Sequence, residues 1–399
     1  MPPCALLESG PVQVVTPELQ SKLPDVGTTI FTVMSALAAQ HNALNLSQGF
    51  PDFDAPPELL DRVNYYLRNG YNQYPPMAGV AQLREAIAGL VRDLYGARVN
   101  ANDEITVTAG ATEALFCAIS AAVRPGDEVI VFDPAYDSYE PVVRLQGGTT
   151  IHIPLQGADF HVDWNLVADA VTERTRLIII NTPHNPTGAV WRDADIEALR
   201  AVIAERDIFI LSDEVYEHMI FDGQPHLSMC RFEDLRERSF IVSSFGKTYH
   251  VTGWKVGYCV APPALTTEFR RVHQFVTFTV NTPVQHALAD FLTSTPRHYQ
   301  ELPSFYQSKR DLFCAALQGS RFELVPSSGT YFQLLNYSRI SGEQDVALAR
   351  RWTEEIGIAS IPISVFYQNP EQHTQQVLRF CFAKDNATIE RAAEILCSL

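Results

Sequence analysis

The stretch FIVSSFGKTYHVTGWKVG, residues 240–257, decides how we interpret the whole chain. It opens with an apolar, β-branched run that is long enough for a buried strand. Ser244 closes this run, Lys247 follows directly after a glycine, and Lys255 comes eight positions later. A lysine held at a strand end in a desolvated site has a lowered pKa and can form a Schiff base with a carbonyl compound. The alternative is that both lysines are ordinary surface residues in a loop.

The bulk composition favours a large globular protein. The chain has 399 residues, of which 46% are hydrophobic and 19% are charged. This length exceeds the usual size of a single hydrophobic core, so we expect two domains. Thirty basic residues against 46 acidic ones give a net charge of −16. Nucleic acids and anionic membranes attract basic surfaces, so this charge argues against both as partners.

The same sequence favours a cytoplasmic location. No apolar run approaches the length of a membrane-spanning helix, and the opening residues MPPCALLESGPVQVV do not resemble a secretory signal. The cysteines form no C-x-x-C pair, which indicates reduced thiols and neither disulfides nor metal ligands. They lie at positions 4, 117, 230, 259, 314, 381 and 397.

From about residue 104 the sequence alternates between apolar strands and helices, which is typical of an α/β fold with a mainly parallel sheet covered by helices. We predict a helix after the first strand, at 109–123, and another at 193–206. The predicted strands number about seven and span 105–108, 128–132, 150–153, 177–180, 208–211, 240–243 and 257–260.

The sequence patterns near both ends of the chain predict a smaller α+β domain. A helix is expected at 30–40, and another begins near Pro57. From Thr295 the sequence predicts long helices around 301–318 and 344–357, with short strands near 331–335 and 377–382. We therefore expect an N-terminal arm and part of the small domain in 1–50, a large domain in 51–294, and the small C-terminal domain in 295–399.

Ligands of parallel α/β sheets bind at the carboxyl ends of the strands, and chemically informative residues follow the predicted strands. Gly110, Ala111 and Thr112 open a helix after the first strand, where exposed backbone N–H groups attract an anion. Many ordinary helices also begin in this way. Asp213 ends a buried strand, where a carboxylate requires a partner. Its neighbour Glu214 is the alternative.

Two further motifs carry polar side chains. The octapeptide NTPHNPTG, residues 181–188, is a rigid turn that fixes Asn185 as a hydrogen-bond donor, whereas we interpret His184 as structural. We predict cis peptides at Asn185–Pro186 and Asp133–Pro134. Arg379 lies in the apolar strand VLRFCF and requires an anion, either a ligand carboxylate or an internal Asp or Glu.

The spacing Ser244-x-x-Lys247 with Lys255, and the string NTPHNPTG, resemble the class I and II aminotransferases of the pyridoxal 5'-phosphate (PLP) fold-type I superfamily. The motifs QGFPDF, NQY, DPAYDSY and GKTYHVTGWKVGY are most similar to the kynurenine/glutamine-phenylpyruvate and methionine aminotransferase branch. The resemblance implies PLP as cofactor. It implies that Lys247 carries the cofactor and that Ser244 and Lys255 bind its phosphate.

The resemblance also implies roles around the cofactor ring. It assigns the Gly110–Thr112 turn to the phosphate and Tyr136 to stacking on the pyridine ring. Asp213 is expected to pair with the protonated ring nitrogen, which lets the ring accept electrons. Asn185 and Tyr216 are expected to bind the ring oxygen.

The remaining implied roles concern the substrate and a second subunit. Arg379 is expected to bind the substrate α-carboxylate, and the backbone of Gly49 to lie over the substrate. Tyr74 is expected to reach across a homodimer interface to the partner's cofactor phosphate.

The implied reaction is ping-pong transfer of an amino group from an amino acid to a 2-oxo acid, with Lys247 as general base and acid. Aspartate-specific relatives use a second arginine from the partner subunit, but residues 272–283 contain two phenylalanines and no arginine. We therefore expect methionine, phenylalanine, tyrosine, glutamine or kynurenine as donors. The alternative is that Arg270 or Arg271 swings in for acidic substrates.

Two other activities are compatible with the same fold. A cysteine-S-conjugate β-lyase uses the same site for elimination, and the sequence does not separate the two reactions. A PLP-sensing transcription factor carries a basic DNA-binding module before this fold, whereas the first 30 residues here form only a short arm.

Overall fold

The computed structural model describes residues 16–370 and 375–399. The first fifteen residues of the expected N-terminal arm lie outside the described part. Among the described residues, every helix is too short or too polar to cross a lipid bilayer.

A seven-stranded sheet forms the centre of the molecule, in the order β2-β8-β7-β6-β5-β3-β4. Most neighbours in the sheet run parallel, but β8 runs antiparallel to both β2 and β7. The mainly parallel sheet predicted from the sequence is therefore confirmed. Its strands are β2 (Ile105–Thr108), β3 (Glu128–Asp133), β4 (Thr149–Pro154), β5 (Thr175–Asn181), β6 (Phe209–Asp213), β7 (Ser239–Ser244) and β8 (Gly257–Val260).

Strand β5 shows why these residues form a central strand. Its consecutive apolar side chains alternate between the two faces of the sheet. Ile178 and Ile180 pack into one apolar cluster, whereas Leu177 and Ile179 pack into the cluster on the opposite face. All four are almost completely buried. A continuous apolar run is thus explained by burial on both faces.

Helices cover the sheet and build the outer parts of the chain. They are α1 (Ile30–His41), α2 (Pro57–Arg68), α3 (Ala81–Tyr95), α4 (Gly110–Ala122), α5 (Tyr139–Leu145), α6 (Trp164–Ala170), α7 (Asp193–Ile203), α8 (Glu233–Arg236), α9 (Phe245–Thr248), α10 (Pro263–Val276), α11 (Thr282–Ser294), α12 (Arg297–Ala316), α13 (Asp345–Arg351) and α14 (Asn386–Cys397). Helix α13 ends earlier than the predicted 344–357 helix, because the backbone widens into a π-helical turn at Trp352–Ile356.

Smaller sheets connect the two ends of the chain. Strand β1 (Leu44–Asn45) pairs in parallel with β10 (Ile358–Ala359). A three-stranded antiparallel sheet has the order β11-β12-β9. Its strands are β9 (Phe332–Asn336), β11 (Ile361–Pro362) and β12 (Val377–Cys381).

Within residues 16–370 and 375–399, three X-Pro peptide bonds are cis. Both predicted bonds, Asp133–Pro134 and Asn185–Pro186, adopt this form. The bond Thr182–Pro183, which we did not predict, is also cis.

Candidate active site

A cavity of about 180 Å³ lies at the carboxyl ends of the central strands. Parallel strands β5 and β6 end here side by side, with Asn181 opposite Asp213. Most residues predicted for the site line this cavity: Gly110, Ala111, Thr112, Tyr136, Asn185, Asp213, Tyr216, Ser244, Lys247 and Lys255. The sheet thus brings together side chains that are far apart in sequence.

Lys247 lies in the single turn of α9 that follows strand β7 directly. Its Nζ donates hydrogen bonds to the hydroxyl oxygen of Tyr331 at 3.0 Å and to the carbonyl oxygen of Gly49 at 3.3 Å. Tyr331 in turn donates to the same carbonyl oxygen. Burial lowers the pKa of Lys247 to about 8, because the charged ammonium loses its hydration. An amine with this pKa is partly neutral, and therefore nucleophilic, near neutral pH.

Asp213 closes strand β6 at the floor of the cavity. Its carboxylate accepts hydrogen bonds from the Tyr139 hydroxyl at 2.7 Å and from the Val215 backbone N–H at 3.3 Å. Among the described residues, no basic side chain lies within ion-pair distance of it. Burial raises the pKa of Asp213 to about 6, although the hydrogen bond from Tyr139 opposes this shift. The carboxyl group is therefore suited to a cationic ligand group.

The alternative acid, Glu214, points away from the cavity. Its carboxylate oxygens lie 2.7 Å from the Ser212 hydroxyl and 2.8 Å from Nε2 of His226. It also accepts the Met229 backbone N–H at 2.9 Å. Glu214 thus has an internal structural environment, and Asp213 is the acid that faces the site.

Small residues and Lys255 surround the start of α4. Gly110 has a φ of +75°, and a Cβ placed there would lie 3.3 Å from Cε of Lys255. Nζ of Lys255 donates to Oγ1 of Thr112 at 3.4 Å. Ser244 lines the same cavity. The cavity wall thus offers backbone N–H groups, two hydroxyls and a lysine, a set of donors that suits a phosphate.

Arg379 enters the site from strand β12 of the small sheet. Its Nη1 donates to Oδ1 of Asn185 at 2.8 Å, and its Nη2 donates to the carbonyl oxygen of Ser47 at 2.9 Å. The guanidinium carbon lies 3.9 Å from the ring centroid of Phe332. Burial lowers the pKa of Arg379. Among the described residues, no carboxylate forms an ion pair with Arg379, and its Nε has no hydrogen-bond partner.

Sequence reasoning missed several residues that hold this geometry. Asn181 accepts the Asn185 backbone N–H at 2.8 Å and donates from Nδ2 to the carbonyl oxygen of Asp213 at 2.9 Å. Asn181 is the first residue of NTPHNPTG, so the motif itself was the signal. Tyr139 and Tyr331 gave no comparable signal, because their partners are 74 and 84 positions away in sequence.

The two remaining aromatic residues of the prediction differ in their environment. Tyr216 is buried and packs edge-to-face on Tyr331, with ring centroids 5.2 Å apart. Tyr74, by contrast, is 85% exposed and does not line the cavity of its own chain. It packs edge-to-face on Phe278 at 5.6 Å.

His184 is buried, and its Nδ1 lies 2.7 Å from the Thr187 hydroxyl, in keeping with a structural role.

Comparisons with known proteins agree with this geometry. The family model "Aminotransferase class I and II" matches residues 41–396. The methionine aminotransferase of Escherichia coli K12 is 56% identical over 377 residues, covering 94% of this chain and 97% of the relative. Human kynurenine–oxoglutarate transaminase 1 is 32% identical over 392 residues, covering 90% and 93%. A solved structure of an E. coli methionine aminotransferase superposes with a TM-score of 0.94 at 55% identity, covering 96% of this chain and all of the other.

The seven-stranded sheet with its helices is the architecture of the PLP fold-type I transferases. Within that class, the chain belongs to the class I and II aminotransferases.

Proposed function

We propose that this enzyme uses PLP to transfer the amino group of an apolar, sulfur-containing or aromatic L-amino acid to a 2-oxo acid. The proposed donors are methionine, phenylalanine, tyrosine, glutamine and kynurenine. The observation that carries this proposal is the convergence of Lys247, Asp213 and Arg379 on one buried site.

Arg379 supports a carboxylate substrate. The hydrogen-bond partners of this buried guanidinium are neutral oxygens, and Asp137 attracts it only from beyond ion-pair distance, so the group can still pair directly with a carboxylate. Its planar fork matches a carboxylate in two hydrogen bonds. The ring of Phe332 packs against the guanidinium group and fixes its plane. We infer that the substrate α-carboxylate binds Arg379, next to Asn185, with the backbone of Gly49 over the substrate.

The residues of the cavity fit PLP. The Gly110–Thr112 turn, Ser244 and Lys255 offer donors for its phosphate, and Asp213 offers the anion that a protonated ring nitrogen requires. The amine of Lys247 suits attachment of the cofactor. When bound, the cofactor supplies a ring that withdraws electrons from the substrate Cα. We further propose that Tyr136 stacks on the ring and that Asn185 and Tyr216 bind its oxygen substituent.

Lys247 is the proposed proton carrier. Its pKa of about 8 makes the amine both a competent base and a competent acid near neutral pH. The carbonyl of Gly49 and the hydroxyl of Tyr331 orient the amine once it is free. In this position Lys247 would take the proton from Cα of the substrate as general base and would later give a proton back as general acid.

We propose a homodimer in which Tyr74 reaches the cofactor phosphate of the partner subunit. Its high exposure supports this proposal, because a large aromatic side chain in contact with water has apolar surface available for an interface. Phe275 and Phe278 lie in the segment that would accompany Tyr74 across the interface. They are 86% and 44% exposed.

The surroundings of Arg270 and Arg271 support an apolar preference. Arg270 donates to Oγ1 of Thr106 at 3.0 Å and to the carbonyl oxygen of Ile105 at 2.7 Å, so internal bonds hold it in place. Arg271 pairs with Glu268 at 2.6 Å on the surface of α10. Neither arginine is therefore free to pair with an acidic side chain. Burial of an unpaired carboxylate costs several kcal/mol, whereas an aromatic or thioether side chain gains roughly 1.5–3 kcal/mol.

The test compares kcat/KM for methionine, phenylalanine and aspartate with one fixed 2-oxo acid and the purified holoenzyme. Methionine and phenylalanine should exceed aspartate by at least about tenfold. A preference for aspartate would contradict the apolar site. Rapid release of pyruvate and ammonia from a cysteine S-conjugate, without transamination of methionine, would assign the β-lyase activity instead.

Two broader features belong to the same proposal. We divide the chain into an N-terminal arm with part of the small domain (1–50), a large domain (51–294) and a small domain (295–399), with the site between the domains. We also propose a cytoplasmic enzyme. The six cysteines within the described residues are free thiols, which supports a reducing environment.

A further inference from the structure

A buried acid–imidazole pair lies outside the cavity, between helices α4 and α10. Nδ1 of His273 is 2.7 Å from Oε1 of Glu113, and Sγ of Cys117 donates to the same oxygen at 3.1 Å. His273 is completely buried and Glu113 nearly so. None of the roles proposed above uses this pair.

Hydrogen-bond accounting shows that the pair holds a shared proton. Nε2 of His273 lies 3.0 Å from the carbonyl oxygen of Met77, which can only accept, so Nε2 carries a proton. Nδ1 then faces a carboxyl oxygen at 2.7 Å, and this contact requires a second proton on either Nδ1 or Glu113. The result is a buried hydrogen bond that shares one proton between an imidazole and a carboxyl group, and its low-dielectric surroundings make it strong and directional.

The pair connects two parts of the chain that have functional assignments. Oε2 of Glu113 accepts the backbone N–H of Ala109 at 2.8 Å, directly before the Gly110–Thr112 turn. On the other side, Met77 lies three residues after Tyr74. The Glu113–His273 pair therefore links the phosphate turn of one chain to the loop that carries Tyr74.

His273 also anchors the aromatic partner of Tyr74. Its backbone carbonyl accepts the N–H of Phe278 at 3.0 Å. The side chain of His273 thus holds the Tyr74 loop, and its carbonyl holds Phe278. The rings of Tyr74 and Phe278 meet edge-to-face at 5.6 Å. The side chain and the backbone of one buried residue thus contact the two segments that carry this exposed aromatic pair.

We propose that His273, oriented by Glu113, is a positioning residue that acts on the active site of the partner subunit in a homodimer. It fixes the aromatic pair Tyr74–Phe278 in the pose that the partner's site receives. This inference rests on the proposed function, since it needs both the PLP site and the dimer.

The test uses hybrid dimers in which only one site can bind PLP covalently, made by coexpression of two differently tagged chains. In the first hybrid, a His273→Phe chain is paired with a Lys247→Ala chain. Its competent site then receives Tyr74 from a chain with an intact His273. In the matched second hybrid, a wild-type chain is paired with a Lys247→Ala/His273→Phe chain, so its competent site receives the loosened Tyr74.

The readouts are the dissociation constant for PLP, from the visible absorbance of the lysine-bound cofactor, and KM and kcat for the donor. The second hybrid should bind PLP about tenfold more weakly and have a higher KM. The reason is that a displaced Tyr74 contacts the cofactor phosphate poorly, and small displacements reduce affinity strongly. The first hybrid should match a hybrid of wild-type and Lys247→Ala chains. A defect in the first hybrid as large as that in the second, or equal behaviour of all hybrids, would overturn the proposal.

Three further variants provide a replacement and controls for His273→Phe. If His273→Phe does not fold, Thr282→Val replaces it in both hybrids, because Oγ1 of Thr282 donates to the carbonyl oxygen of Gln73 at 2.7 Å and holds the same loop from its exposed side. Glu113→Gln should keep PLP affinity within about twofold, since its amide donates to Nδ1 and its oxygen accepts from Ala109. Glu113→Ala should weaken PLP binding about tenfold. Equal affinity of these two variants would contradict the positioning role.

A failure of the proposed function is distinguishable from a failure of this inference. A wild-type protein that is monomeric or lacks the cofactor absorbance would refute the function before any hybrid is compared. Stoichiometric zinc in the purified protein would also overturn the shared-proton pair, because zinc would replace the proton between Glu113, Cys117 and His273.

Discussion

The hydroxyl of Tyr331 lies 3.0 Å from Nζ of Lys247, and both groups donate to the carbonyl oxygen of Gly49. Three parts of the chain thus meet at the amine that we propose as the proton carrier. Tyr331 is fully buried, and its ring packs edge-to-face on Tyr216 and Phe332. The tyrosine therefore defines where a free Lys247 amine rests.

Tyr331→Phe should lower kcat about tenfold and change KM little, because the amine loses an oriented contact that matters in proton transfer. The isotope effect on kcat with Cα-deuterated donor should increase as proton transfer becomes slower. Tyr306→Phe is the matched control. The Tyr306 hydroxyl is buried without a hydrogen-bond partner among the described residues, and its ring lies 5.7 Å from Tyr331. Equal kinetics of the two variants would refute the role of Tyr331.

Lys247→Ala should abolish covalent cofactor binding. The purified variant is expected to lack the visible absorbance of lysine-bound PLP, and borohydride treatment should fix no cofactor to the chain. Peptide mapping of the reduced wild-type protein should locate the cofactor at Lys247. Lys255→Ala serves as control, because it should weaken phosphate binding and keep the borohydride-reducible attachment. A reducible chromophore in Lys247→Ala would show that another lysine carries PLP.

Asp213→Asn should stabilise the cofactor-free protein at alkaline pH. The folded-state pKa of about 6 exceeds the usual carboxyl value, so ionisation costs more in the folded state. The contribution of Asp213 to stability is therefore fully present below about pH 4 and is lost as the pH rises through about 6. At pH 8 the variant should exceed the wild type by up to about 3 kcal/mol.

Urea denaturation at several pH values between 4 and 8 measures this difference. The advantage of Asp213→Asn should shrink steadily towards pH 4. With PLP and substrate, the same variant should lose about 10²-fold or more in kcat, because a neutral amide does not keep the ring nitrogen protonated. A wild type that gains stability over the variant with rising pH would contradict the assignment.

Arg379→Lys should raise KM for the amino donor about 10²-fold, because a point charge replaces a bidentate fork in a buried site. The affinity for PLP should stay within about twofold, since Arg379 has no proposed contact with the cofactor phosphate. Arg271→Lys is the matched control and should leave KM unchanged, as expected of a surface residue paired with Glu268. A loss of PLP without a change in KM would move Arg379 out of the substrate subsite.

Local signals in the sequence predicted the helices and strands and most residues that line the candidate site. The apolar run 177–180 is buried on both faces of the sheet, and this requirement can be recognised from composition alone. The octapeptide that follows it predicted the cis bond Asn185–Pro186, and the DP pair predicted the cis bond Asp133–Pro134. The octapeptide also contains Asn185, which lines the cavity. Strand ends and rigid turns are local features, so a sequence motif records them directly.

Only the tertiary structure decided which side chains touch. Tyr136 and Tyr139 both follow strand β3 closely, yet Tyr139, the first residue of α5, is the one that donates to Asp213. Tyr331 reaches Lys247 because β9 pairs with β12 in a different sheet. Contacts between side chains 70 or more positions apart depend on how sheets and helices pack. A local sequence pattern does not predict such contacts. For the same reason, the antiparallel direction of β8 and the buried contact between Glu113 and His273 emerged only from the folded chain.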